Sequence, residues 1–600
     1  MARPLLWAAS LPLLLLLCLP AAASAGARSE FTFFEGTQYP LTAVFVQGEQ
    51  PGPTVMIQGG IQGDEPTGFL SAQALSHARV LRGNLIVVPR ANVPSIHVHQ
   101  RAVNVDMNRR FDRDYNQFYE DRLARAVRFL LSQASAFVHL HEGSGFYDPE
   151  NLGPQRNPQR WGQSIIIDAS THDRVDMERL VRQALPEINA QVDRADYHFK
   201  LFNTKTFDPG SRYAPEMRKS LTFYALSMLN IPALAVEVSK NIPELGWKVR
   251  HQAQATAVLL RHLGVEIALP RMDEREIAQG FARDLPVKVN GKVLEQGAAL
   301  PVAPGGTIKA EPGSPAKGDQ NGAALAVFAT DRPGVNLLDS PRMALESFKG
   351  LEIRQDGRKV LATDVRFSGT MPPPLPPGAP VFVCWLNGRP VQVKHGESLR
   401  TVAGDQLIIE GVLGSTWKEV INLKGYAARP WANDGQDMGF EIILDPDAFM
   451  SKYRLNAPIP GAARYEVARE TVGARPAKFY LDIEPRRVLS VNLVDARGQQ
   501  ITVRWTSGGE VSLPPGEYAL ADAQGNGPAS RLLPLIGNRP LKPGEKFRVE
   551  EGRPLLFTLR QSTTFAGLGA MTLVPKHRAA AGKQRLALGE PAEEPSRGVN

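Results

Sequence analysis

Cysteine is nearly absent, with two among 600 residues. Cys18 lies in an N-terminal apolar stretch and Cys384 stands far from it. Once that stretch is removed, a single thiol remains. An intramolecular disulfide and a metal site built from cysteines are then both excluded. Long apolar runs are also lacking. Apart from 5–20, no segment approaches the roughly 20 residues needed to span a bilayer. Charge is close to balanced, with 69 Lys and Arg against 61 Asp and Glu, a formal net of +8. No cluster of basic and aromatic residues argues for nucleic acid. So mild an excess favours anionic partners, such as cell-wall polymers, only through long-range attraction.

The chain opens Met-Ala-Arg, continues apolar through 5–20, and passes into Ala23-Ser24-Ala25. A basic start, a short apolar centre and small residues before a cleavage point describe a secretory signal, 1–25. The mature protein is therefore expected outside the cytosol, soluble and without a membrane span. A large exported chain without disulfides fits a bacterial periplasm better than an animal extracellular space.

Single hydrophobic cores stop growing near about 250–300 residues, so several domains are expected. Between about 50 and 263, strand and helix patterns alternate. Strands are predicted at 54–59, 84–89, 136–141, 164–168 and 233–238. Helices are predicted at 66–81, 119–133, 173–191, 220–229 and 247–263. Such alternation predicts an α/β layer with a largely parallel sheet, its site in the loops beyond the carboxyl ends of the strands. After Pro270 helical periods nearly vanish, and Gly, Pro and short alternating strands dominate. Val289-Asn290-Gly291, followed by Gly297, Leu300, Gly305 and Ile308, has the same spacing as Leu386-Asn387-Gly388, followed by Gly396, Leu399, Gly404 and Leu407. This repeat suggests two copies of one Ig-like β-sandwich module, joined by the proline-rich linker 371–378. The expected division is 1–25 signal, 26–268 catalytic α/β domain, 275–370 and 379–485 β-sandwich modules, 488–575 a β-rich domain, and 576–600 a disordered tail.

Four clusters carry chemistry. Gln62-x-x-Glu65 sits in a glycine-rich turn between a strand and a helix, so both oxygen-bearing side chains face one side and can clamp a metal ion. The plain alternative is an ordinary acidic first turn favoured by the helix dipole. Asn108-Arg109, with Arg101 upstream, offers a planar guanidinium fork matched to a carboxylate; a solvated basic loop is the plain alternative. In the third cluster, Phe137-Val-His139-Leu-His141-Glu-Gly143, period-two alternation puts both histidines on one face. His141, nearer the strand end, is the better ligand, and His139 orients it or fills core. Finally, Glu237 ends the apolar run 232–238. Desolvation there would raise its pKa towards that of a general base, or Lys240 would neutralise it in a buried salt bridge.

In joint order these clusters resemble the zinc carboxypeptidase superfamily over roughly 30–265. The resemblance implies one zinc ion per catalytic domain, held by Gln62, Glu65 and His141. It also implies Asn108 and Arg109 on the substrate's terminal carboxylate, Arg101 polarising the scissile carbonyl, and Glu237 as the base. Tyr224 corresponds loosely to the family's substrate-contacting tyrosine, although a buried aromatic is the plainer reading. Glutamine in place of the family's first histidine is a poorer zinc donor. With the export signal and trailing β-domains, however, it is similar to one branch, the periplasmic cell-shape-determining peptidoglycan D,L-carboxypeptidases. That likeness implies hydrolysis of the D-Glu–meso-diaminopimelate bond in uncrosslinked tripeptides. The β-domains would then contact cell wall or partner proteins, or buttress the catalytic domain. Two other readings compete. One is an amide deacylase resembling aspartoacylase and succinylglutamate desuccinylase, and the other is a wall-binding protein with a decayed site.

Overall fold

The computed structural model describes residues 28–34, 38–115 and 118–303, and most of residues 307–575. The signal 1–25, the linker 371–378 and the tail 576–600 lie outside the described residues.

The N-terminal half is built on one nine-stranded sheet. In chain order its elements are β1 (Arg28–Phe33), β2 (Leu41–Gln47), β3 (Gln50–Gln58), α1 (Pro66–Ser76), β4 (Arg79–Val88), α2 (Val93–Val98), α3 (Tyr119–Leu131) and β5 (Ala136–Gly143). There follow β6 (Ser164–Ile167), α4 (Met177–Asn189), β7 (Lys200–Asn203), α5 (Leu221–Leu229), β8 (Ala233–Ser239), α6 (Leu245–His262) and β9 (Glu266–Ala268). The order across the sheet is β1-β2-β4-β3-β5-β8-β6-β7, with β9 beside β4.

The centre and the β6–β7 pair meet the expectation of a parallel sheet. β4, β3, β5 and β8 run parallel, whereas β1, β2, β9 and the β8–β6 pair are antiparallel. The central strands read as continuous apolar runs because helices cover them. Val55, Ile57, Phe137, Val138, Leu140, Leu234 and Val236 are fully buried. α3 carries the expected stripe, with Leu123, Val127, Leu130 and Leu131 in the same core. The helix expected over 66–81 stops at Ser76, because Val80 turns into the core as part of β4. Helical structure also persists past Pro270, as α7 (Glu274–Ala282), where Asp273 accepts from the Arg275 and Glu276 amides as its cap.

Beyond this helix every described regular element is β, apart from one short 3₁₀ turn at Ser451–Tyr453. Residues 381–484 form two four-stranded sheets that share one core, with Phe382, Leu407 and Ile442 from one and Tyr465, Phe479 and Leu481 from the other. Cys384 is buried there, and burial raises its thiol pKa. The two motif copies share a turn. Asn290 and Asn387 are both left-handed at φ 51°. Asn290 exchanges hydrogen bonds with Lys309, and Asn387 does the same with Gln406. Residues 305 and 388 of the motif lie outside the described residues.

Candidate active site

The carboxyl ends of β3, β5 and β8 meet at a cavity of about 330 Å³. Its wall includes Gln62, Glu65, Arg101, Asn108, Arg109, His141 and Glu237. Residues distant in sequence thus converge where the sheet's strands end.

The turn after β3 is held by close backbone packing. A Cβ on Gly63 would lie 2.0 Å from the Ser95 carbonyl oxygen. The Gly63 amide donates to Gln100 O at 2.9 Å and to Ser95 Oγ at 3.0 Å. Glu65 occupies the N-cap of α1, followed by proline at the first helical position, where a missing N–H costs nothing. Gly68 lets α1 settle onto β5, since a Cβ there would lie 2.6 Å from Leu140 O. Gln62 and Glu65 are therefore fixed by backbone contacts, at 2% and 3% exposure.

His141 Nδ1 lies 2.9 Å from Glu65 Oε2. Burial opposes a charged imidazole, but the Glu65 carboxylate, its hydrogen bond and Glu237 outweigh it and raise the pKa of His141. His139 lies deeper, fully buried, with its ring 4.0 Å from that of His141. Burial and the His141 charge hold it well below the ordinary histidine range, and it lines the same cavity behind His141. Gln252 donates to both His141 O and Val236 O, tying β5 to β8.

Glu237 stands opposite His141 in the β5–β8 register. Burial pushes its carboxyl up to about 7; His141 lowers it and Glu65 raises it further. Lys240 does not neutralise it, because its ammonium donates to Asp64 Oδ2 at 2.6 Å. Lys240 acts on Glu237 only through space, lowering its pKa less than His141 or Arg101 does.

Arg101 is half exposed, with Nη1 4.0 Å from Glu65 Oε1. Asp106 binds it through Nε at 3.0 Å and Nη2 at 2.8 Å. The same carboxylate accepts from Gln62 Nε2 at 3.1 Å and from the Asn108 amide at 3.0 Å. Asn108 Oδ1 accepts from Leu221 N at 3.0 Å, which leaves its amide NH₂ as the group for the cavity. Arg109 donates to Glu216 and to the Asn108 carbonyl. Tyr224 is not brought to the site. It lies on α5 beneath Arg128, whose guanidinium carbon is 5.6 Å from the ring, and it packs against the main core. Its ring is half-buried against that core.

Sequence reasoning gave Asp106, Gln252, Trp161, Met217 and Thr222 no role. The last three line the cavity from a loop, from the end of the short helix Ala214–Met217 and from the start of α5. Asp168, just past β6, was also missed as a chemical group. Burial raises its pKa to about 6 against hydrogen bonds from Thr206, Thr222 and Thr204, with Arg109 also lowering it. Of these only Asp106 had a signal, an acid two residues before Asn-Arg.

The donor set fits a divalent metal. A carboxylate and an imidazole adjoin in a buried site, and both are donors that zinc accepts. Asp106 takes the Gln62 NH₂, so the amide oxygen is the atom left to a cation. Among the described residues no group of three or more His, Cys, Asp or Glu could hold a metal. The third protein donor on offer beside Glu65 and His141 is the Gln62 amide oxygen.

Residues 37–273 match the family described as carboxypeptidase controlling helical cell shape, catalytic. A curated N-alpha-acetyl-L-2,4-diaminobutyric acid deacetylase of Halomonas elongata is 32% identical over 116 residues, 18% of this chain and 33% of that one. The chain thus spans about a third of the length of that curated relative. The tripeptide-bound cell shape determinant Csd4 of Helicobacter pylori aligns at 21% identity over 72% of this chain and 95% of that one, TM-score 0.42. A metallo-carboxypeptidase from Burkholderia cenocepacia aligns at 15% identity over 39% and 63%, TM-score 0.29. Residues 37–273 are thus related to the catalytic region of the carboxypeptidases that control helical cell shape.

Proposed function

We propose that the protein is an exported, zinc-dependent D,L-carboxypeptidase of the periplasm. It hydrolyses the D-Glu–meso-diaminopimelate bond of uncrosslinked peptidoglycan tripeptides and so affects cell shape. The observation that carries this reading is the placement of Glu237. A carboxyl held near neutrality, while Lys240 donates to Asp64, lines one cavity with Gln62, Glu65, His141, Arg101 and Arg109. The match of 37–273 to the cell-shape family supports the substrate class. The division at 26–268, 275–370, 379–485 and 488–575 belongs to the same reading.

Gln62, Glu65 and His141 would hold the zinc, which when bound acidifies a water and polarises a carbonyl. Arg109, with the Asn108 amide NH₂, donates to the terminal carboxylate and sets the scissile bond in register. Glu237 takes the proton of the attacking water and passes it to the leaving amine; a pKa near the working pH suits both transfers. Arg101 donates to the oxygen that gains charge, and Asp106 fixes the direction of that guanidinium.

The test is mass spectrometry of purified muropeptides incubated with the protein. A tripeptide-to-dipeptide conversion that stops with chelator and returns with zinc is expected. Unchanged tripeptide in the presence of zinc overturns the reading. The deacetylase relative gives one ground for the amide deacylase alternative. Release of acetate from N-acetyl diamino acids, with tripeptides untouched, would favour it.

A further inference from the structure

Residues 350–367 form a hairpin in the first β unit, strands Gly350–Gln355 and Arg358–Phe367. Its tip, Asp356-Gly357, has φ 45° and 82°, the left-handed pair that a two-residue hairpin turn requires. This tip is inserted into the catalytic domain. Asp356, nearly fully buried, accepts from Arg90 Nε at 3.1 Å and Nη2 at 3.3 Å. It also accepts from the Ala324 amide at 2.9 Å and donates its own amide to Ala324 O. Gly357 abuts the end of α2, where a Cβ would lie 2.8 Å from Ile96 O and from the His99 Cβ.

Two routes lead from this tip to the cavity. α2 ends at His99 in the left-handed conformation, two residues before Arg101. Gly63, beside Gln62, is bound to Ser95 and Gln100 of the same segment. On the other route, Arg90 lies over the Phe69 ring at 5.0 Å and donates to Gln73, both on the helix that Glu65 caps. Phe69, Ile96 and Ala324 form one buried apolar cluster across the seam.

We propose that Asp356 is a positioning residue. Through Arg90 and the end of α2, the first β unit holds the Arg101 loop and the Gln62–Glu65 turn in working geometry. The β unit is then part of the catalytic site, beyond any wall-binding it performs. The kinetic arm of the test rests on the carboxypeptidase reading above, and the exchange arm does not.

The test uses the full chain. Asp356→Asn is expected to raise amide hydrogen exchange over 93–106 and leave β5 (Ala136–Gly143) unchanged, since local opening is read segment by segment. It should lower kcat by about ten- to a hundredfold, the scale that misplaced catalytic groups cost. In an Arg101→Ala background the same change should cost less than in the wild type, the remainder acting through the Gln62–Glu65 turn, because effects acting through one group do not add. Gly357→Ala, which keeps the ion pair but disturbs the seating, should reproduce both effects more weakly and guards against misfolding of the first variant. An equal kcat loss with and without Arg101 overturns the proposal, and so does unchanged exchange over 93–106. A protein lacking all carboxypeptidase activity, yet showing the exchange change, overturns the proposed function and leaves the positioning intact.

Discussion

Glu237 and His141 face each other across two parallel strands, and Lys240 donates to Asp64. Burial dominates the carboxylate against the opposing pulls of His141, Arg101 and Lys240. Glu237→Gln keeps its volume and removes its basicity, so turnover should fall by about 10²–10⁴-fold. Zinc content measured by mass spectrometry should stay at the wild-type level. Asp168 gives a separate pH signature. Its pKa is raised to about 6 by burial, so the folded state holds its proton more tightly than the unfolded chain does. The associated stability is complete below the ordinary aspartate range and lost as pH rises through about 6. Asp168→Asn should flatten the fall in melting temperature over that window; the slope is the readout, because Asn also weakens the threonine bonds. At this scale Gln62, Glu65, His141 and Glu237 were legible in the sequence. Each lies within a short turn or a strand end whose geometry follows from spacing. Asp106 was not, since its three partners are reached only after the 99–109 loop folds back.

The elements that place these side chains are set by close approach as much as by hydrophobic pattern. α1 lies against β5 at Gly68, and Thr67 on the same turn donates to buried Glu142. Gly68→Ala should gain up to about 1 kcal/mol in helix propensity and lose about 1–3 kcal/mol to overpacking. Net destabilisation, read from urea unfolding of the full chain, is expected with a weaker zinc affinity in chelator competition, since Glu65 caps this helix. The helices and central strands were readable because their apolar periods were long and uninterrupted. β1, β2, β7 and β9 were missed. They are short flanking strands, six of β1's and β2's partners being each other, and their burial depends on neighbours that local pattern does not reveal.

The whole molecule joins its parts through buried charge. Besides Arg90–Asp356, Arg122 of α3 meets Asp445 of the second β unit at 3.6 Å, with both side chains at most 10% exposed. Arg122 also donates to Tyr39 Oη at 3.0 Å, and Ile443 joins the catalytic core. Removing one partner of a buried pair strands the other charge. Asp445→Ala should therefore destabilise the catalytic unit by about 3 kcal/mol, the low end of that range because the contact is long. Arg122→Met with Asp445→Leu should recover most of it, both measured by denaturant unfolding. The change of architecture after Pro270 was visible in composition. These seams were not, because a salt bridge between residues more than 260 positions apart leaves no local pattern.

The glycine at position 63 carries a final consequence. Its α-carbon lies so close to Ser95 that any added side chain collides with backbone. This wall of the cavity thus has almost no capacity to vary, and the Gln62-x-x-Glu65 spacing is locked in with it. Trp161 is under the same restriction, since a Cβ on Gly143 would lie 2.6 Å from its own Cβ, whereas Met217 and Thr222, at the ends of two helices, line the cavity away from these glycine contacts. Descendants of this chain would diversify their substrates from that side, changing what is cut while the cutting apparatus stays the same.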